Sequence, residues 1–178
     1  MKKLILFVVQ LLLMNSIHSQ NVLENADFEY YSTCPTGISE VYKSENWFCA
    51  VATADFFNCS FVSNIDIPSG ILAYSGKGFM GFLSYGDMNG SAEAIGQYLT
   101  KPLLPYTKYS ISLAAKRLYS GAATVDTAGV ELYGFKDSIP YDTSFIHISQ
   151  VSNSNYLGTS SIINNTSWSL YTQLFDMF

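Results

Sequence analysis

Short runs in which apolar and polar side chains alternate are the feature that most narrows what this chain can fold into. Successive side chains of a strand point to opposite faces, so a period of two marks a strand with one buried face. Tyr109-Ser110-Ile111-Ser112-Leu113 alternates in this way, as do Val130-Glu131-Leu132-Tyr133 and Trp168-Ser169-Leu170-Tyr171-Thr172-Gln173-Leu174-Phe175. Gly78-Phe79-Met80-Gly81-Phe82-Leu83 is almost continuously apolar, which predicts a strand buried on both faces. Residues 95–104 predict another strand, ended by a turn at Pro105. Pro68-Ser69-Gly70, Asp87-Met88-Asn89-Gly90 and Ser120-Gly121 punctuate the runs as turns. No stretch repeats apolar residues at three, four and seven long enough to make a substantial helix. The expectation is an all-β chain, a sandwich or barrel of short strands. Residues 149–169 are rich in Ser and Asn, and their first half reads as a long surface loop. The last alternating run stops at Asp176-Met177-Phe178, so a core strand would lack its neighbour. That predicts a β-sandwich domain over residues 20–178 that is truncated at its C-terminus.

The N-terminus reads as an export signal. Lys2 and Lys3 precede an apolar run over residues 4–14, and Ile17-His18-Ser19 offers a small residue before a cut. The run falls short of the ~20 residues that cross a bilayer. Cleavage after Ser19 makes residues 1–19 a signal peptide and places the mature chain outside the cell or on its surface.

Charge narrows the function. Nine Lys+Arg stand against fourteen Asp+Glu, a net of −5. Loss of Lys2 and Lys3 leaves seven against fourteen, a net of −7. No basic face is available to displace counterions from phosphates, so nucleic acid is excluded as a partner. Aromatic residues make up 15% of the chain and charged ones 13%, which excludes a disordered tail.

Three cysteines remain in an oxidising compartment, Cys34, Cys49 and Cys59. Any two can pair, leaving one thiol. Zinc is disfavoured, because C-x-x-C is absent and His147 is the only histidine left after cleavage.

Catalysis finds little support. His147 sits inside an apparent strand, neither G-x-S-x-G nor H-E-x-x-H occurs, and the acids are scattered. Gly76-Lys77-Gly78-Phe79-Met80-Gly81 spells G-x-G-x-x-G but runs into a strand instead of a helix, so it reads as a turn entering that strand. Asp87-Met88-Asn89-Gly90-Ser91 lacks the Gly and Glu of a calcium loop and also reads as a turn. The Asn-x-Ser/Thr triplets carry meaning only in a eukaryotic secretory pathway.

Several motifs in order resemble a known group. Asn21-Val22-Leu23-Glu24-Asn25-Ala26-Asp27-Phe28-Glu29 resembles the N-L-x-x-N-x-x-F-E opening of jelly-roll modules with the galactose-binding-like fold, many of them carbohydrate-binding. Cys34-Pro35, Trp47 and Asp55-Phe56-Phe57-Asn58-Cys59 follow as in N-terminal domains of exported Bacteroidetes surface and gliding-motility-associated proteins. So do Glu93-Ala94-Ile95-Gly96-Gln97-Tyr98-Leu99 and Pro102-Leu103. The chain departs from the pattern where Pro105-Tyr106 replaces a turn glycine and where Cys49 is extra.

The resemblance implies a jelly-roll sandwich, fusion to further domains, and a Cys34–Cys59 disulfide with Cys49 left as a buried thiol. Such a bond closes a separation of 25 residues, worth about 3.5 kcal/mol in the chain-entropy view. It also implies that Glu29 is the candidate ligand for a structural Ca²⁺, although in this chain an ordinary polar strand residue is the plainer reading. Trp47 and Trp168 are expected in the core. Tyr85, Tyr119 and Tyr156, with Arg117 and Gln97, are the candidate ligand-binding residues, because loop aromatics stack on sugar rings and planar polar groups bind hydroxyls. The leading expectation is a non-catalytic carbohydrate-binding or adhesion module. A ligand-free structural domain of a cell-envelope protein comes second and an exported hydrolase third.

Overall fold

The computed structural model describes residues 21–59, 71–82, 92–118, 129–136 and 153–177. The export-signal segment, the turns at 68–70, 87–90 and 120–121, Tyr85, Tyr119 and His147 lie outside the described residues. Within them the chain is built from β-strands, paired into four two-stranded antiparallel sheets. The helical element among the described residues is one 3-10 turn, Val41–Lys43.

β1 (Phe48–Val51) pairs with β4 (Ala94–Gly96), and β2 (Asp55–Phe57) pairs with β3 (Phe79–Gly81). Both pairings are shaped by aromatic rings lying over glycines. Phe48 faces Gly96 across the ladder, where a Cβ would come within 2.7 Å of the ring. Phe57 stands opposite Phe79, their rings stacked at 4.8 Å. Val41, Ala50, Val51, Ala54, Phe56 and Phe57 are buried here and form the centre of the described core. Burying a Phe or Val side chain contributes about 1.5–3 kcal/mol, so this stretch carries much of the apolar burial among the described residues.

The N-terminal segment is fastened onto that core. Asn25 Oδ1 accepts from the Tyr30 N–H, and Asn25 Nδ2 donates to the Tyr30 and Glu45 carbonyls. The Trp47 indole N–H donates to the Asn25 carbonyl, and the Trp47 ring packs on Phe28 at 5.1 Å. Cys34 and Cys59 are bonded, with Cα atoms 5.8 Å apart, inside the range a disulfide can span. The pairing implied by the resemblance is therefore present.

β5 (Lys108–Ala115) and β8 (Ser169–Asp176) form the longest ladder, eight residues on each side. Their alternation decides which face each residue takes. Tyr109, Ile111, Leu113, Tyr171, Gln173 and Phe175 are half-buried, whereas Ser110, Ser112, Leu170, Thr172 and Leu174 are exposed. On the exposed face the Ser112 and Thr172 hydroxyls share a hydrogen bond and Lys108 pairs with Asp176. β6 (Glu131–Phe135) pairs with β7 (Ser154–Thr159), with a register shift between Leu132 and Tyr133. β7 lies against β8, and Gly158, at φ 149°, fits beneath the Gln173 side chain, where a Cβ would come within 2.7 Å of the amide nitrogen.

Several sequence expectations need correction. Residues 154–159 form a strand, not a loop. Their Ser, Asn and Gly content hides it, because β6 supplies the ladder and half of the side chains face outward. The strand expected over residues 95–104 shrinks to Ala94–Gly96. The chain leaves the ladder at Gln97, whose amide turns to pair with the Glu24 backbone. β3 is half-buried instead of enclosed on both faces. β8 is not wholly a core strand, because Leu170 and Leu174 are 61% and 72% exposed. Trp47 and Trp168 are half-buried, at the margin of the packing.

Candidate functional site

Period two along β6 puts Glu131, Tyr133 and Phe135 on one face and Leu132 and Gly134 on the other. Leu132 turns towards Ile111, Leu113 and Tyr171 and lines a small apolar hollow between the sheets. The opposite face is open. There the register sets Tyr133 directly across from Tyr156, and the rings meet edge to face at 5.4 Å and 64°. Tyr156 is 57% exposed. The Tyr133 hydroxyl donates to Glu131 Oε2 at 2.8 Å, and Glu131 and Asn155 are exposed on the same pair of strands. Leu157 is the extra residue between the Gly158 and Tyr156 pairings. This bulge keeps the two tyrosines on one face.

An aromatic ring buttressed by a second ring, with a carboxylate alongside, suits a polyhydroxyl ligand. In general such a ring can receive the C–H face of a sugar while neighbouring polar groups meet its hydroxyls. The sequence offers Tyr156 as a loop aromatic; it stands in a strand. Glu131 and Tyr133 were missed. Their alternation in β6 was visible, but their partnership with Tyr156 depends on the β6·β7 register, and β7 carried no strand signal.

A second aromatic patch is less open. Tyr74, 56% exposed, meets the Trp168 ring edge-on at 6.3 Å. The Trp168 indole N–H donates to the Leu72 carbonyl. Lys116 Nζ lies 4.9 Å above the indole, so one face of this ring already carries a cation. Burial lowers the pKa of Lys116 from its ordinary value.

The other sequence-derived candidates work on different neighbours. Gln97 Oε1 accepts from the Glu24 N–H and Nε2 donates to the Glu24 carbonyl, a two-bond clamp on the N-terminal segment. Arg117 is half-buried beyond the end of β5, and its backbone N–H donates to the Asn165 carbonyl.

Glu29 is not a free strand carboxylate. Its Oε1 accepts from the Lys77 and Gly78 N–H groups, both at 2.6 Å, and the turn closes round it at Gly76, φ 61°. A Cβ at Gly76 would collide with the carboxylate. The G-x-G run thus cradles the protein's own anion. Ca²⁺ asks for six to eight hard oxygens. Glu29 directs one oxygen at backbone donors, and among the described residues no group of three His, Cys, Asp or Glu could hold a metal ion.

Three further ionisable groups sit in the N-terminal half. Glu40 is held down to about 2 by its bond to Lys43 and by the Thr36 and Gly37 N–H groups. Burial raises Asp55, against the Ser39 N–H that it accepts. Cys49 is a half-buried free thiol in β1, raised by burial and by the nearby Glu93.

No protein-family model, no curated protein and no solved structure matches the chain. Among the described residues no helix is long and apolar enough to cross a membrane.

Proposed function

We propose that this chain is a non-catalytic carbohydrate-binding or adhesion module of an exported cell-surface protein. Its four strand pairs would belong to a jelly-roll sandwich similar to the galactose-binding-like domains that its motifs resemble. The observation that carries this reading is the open Tyr156 ring, backed by Tyr133 and flanked by Glu131. A site of this form binds without chemistry. It offers a preformed stacking surface and hydrogen-bonding groups, with no nucleophile activated by a base. The fold itself leaves activity open, so the argument rests on the patch. A glycan array probed with the full chain and with Tyr156→Ala tests it. Binding to at least one glycan, lost in the variant, supports the module. Flat signal on every glycan removes it.

A second reading, a structural or assembly domain, is favoured by the outward-facing Leu170 and Leu174 of β8. Two large apolar side chains on one exposed strand face suit a contact with another protein layer. A flat glycan array together with self-association or co-purification that depends on Leu170 and Leu174 favours this alternative.

A further inference from the structure

The patch around Trp168 holds a cation that the described residues do not neutralise. Lys116 directly follows β5 and Trp168 directly precedes β8. Ala115 pairs with Ser169 in the last rung of that ladder, so the two side chains meet at its end. Lys116 Nζ lies 4.9 Å from the indole centre. Among the described residues no carboxylate lies within ion-pair distance of it, and no acceptor takes its N–H groups. A cation over a ring face engages the π-cloud and uses none of the ammonium's three donors. Lys116 is also half-buried, where an opposite charge in contact attracts it more strongly than in bulk water. Tyr74 reaches the same indole edge-on at 6.3 Å and is 56% exposed, so part of its ring stays open.

We infer that this patch is a second glycan contact, selective for sugars that carry an anionic substituent, with a carboxylate or sulfate accepting from Lys116 Nζ and the sugar's C–H face on Tyr74. It rests on the carbohydrate-binding reading just given. A neutral sugar offers the ammonium hydroxyl acceptors alone, whereas an anionic one supplies acceptors and the missing opposite charge, the stronger kind of hydrogen bond. The chain's net charge of −5 opposes acidic ligands at long range. Physiological salt confines that repulsion to about 8 Å, while the Lys116 contact is made at hydrogen-bond distance. Short oligosaccharides, which carry few charges, meet the cation with the least opposition.

The experiment is calorimetry of the full chain at physiological salt against trigalacturonate and its methyl ester, a sulfated galactan trisaccharide and its unsulfated form, and acetate and sulfate alone. The wild-type chain binds at least one acidic trisaccharide about tenfold more tightly than its neutral counterpart. Whether the uronate or the sulfated trimer shows this preference identifies the anion. Lys116→Gln, with an unchanged thermal transition, abolishes the preference. Lys116→Arg keeps the charge and the ring contact and restores it. Tyr74→Ala weakens the acidic trimer and its neutral counterpart alike. Neutral forms binding as tightly as both acidic ones overturn the inference, as does a preference that survives Lys116→Gln. Acetate or sulfate binding as tightly as the trimers also overturns it, because the ring then contributes nothing. If no acidic preference is found but a glycan on the array binds through Tyr156, the inference falls and the carbohydrate-binding module stands. No binding to any glycan removes both.

Discussion

The stretch around β1 and β2 and the two sheets β5·β8 and β6·β7 use similar aromatic and aliphatic residues but hold together differently. In the first region Val41, Ala50, Val51, Ala54, Phe56 and Phe57 are fully buried, and a disulfide, the Asn25 side chain and the Glu29 carboxylate tie flanking segments over them. In the second, most side chains are half-buried on one face and exposed on the other. Ring contacts link the regions, with Phe57 stacked on Phe79 and Phe79 meeting Trp168 edge-on. A locked frame thus supports open ladders, and an exposed ring such as Tyr156 stands where the packing does not claim it.

Core truncation should separate the regions most sharply. Phe56→Ala empties a fully buried site and should cost about 3–5 kcal/mol in urea unfolding. Leu174→Ala, on the exposed face of β8, should change stability by less than about 0.5 kcal/mol. Similar losses from the two would erase the distinction drawn here. Replacing Cys34 and Cys59 together by Ser should cost about 3.5 kcal/mol, measured under non-reducing conditions against the parent chain. A loss below about 1 kcal/mol would place the constraint elsewhere in the frame.

Acid sharpens the comparison further. Glu40 titrates near 2 in the folded chain because Lys43 and two backbone donors hold its charged form, against an ordinary value of 4.5. A carboxylate depressed on folding stabilises above its unfolded pKa and loses that contribution as pH falls through the folded one. The stability gap between wild type and Glu40→Gln should be constant above pH 5, shrink between about 4.5 and 2, and close below that. A gap that persists at pH 2 would remove the Lys43 and backbone account.

A small effect of the opposite sign lies at the entry to β5. Tyr106 adopts φ 56° and is 91% exposed. The left-handed conformation disfavours a residue with a Cβ, and the ring gains little packing in return. Tyr106→Gly should be neutral or stabilising by up to about 1 kcal/mol in thermal unfolding. A clear destabilisation would show that the ring has a structural partner.

The β5, β6 and β8 strands were legible because their alternation is uninterrupted and each has one packed face. β7 was not, since Ser154, Asn155 and Gly158 carry no apolar period and the strand exists through its partner. Residues 97–104 read as the continuation of a strand that runs to the turn at Pro105, yet Gln97 finds backbone partners at Glu24, 73 residues away in sequence, and the ladder ends there. Cys34–Cys59 followed from the motif order, since three cysteines alone leave the pairing open. Glu29 stands out by its place in a motif, but its role as the acceptor in the Gly76–Gly78 turn is a long-range fact. The candidate site was half legible. Tyr156 stood out as an aromatic, whereas Glu131 and Tyr133 become its companions only once the β6·β7 register is known.

Native-state hydrogen exchange, followed amide by amide, tests the locked frame most directly. The account predicts the slowest exchange at Ala50, Val51, Phe56 and Phe57, with the β6·β7 amides opening measurably sooner. Protection in β6·β7 equal to or greater than that of β1 and β2 would contradict it.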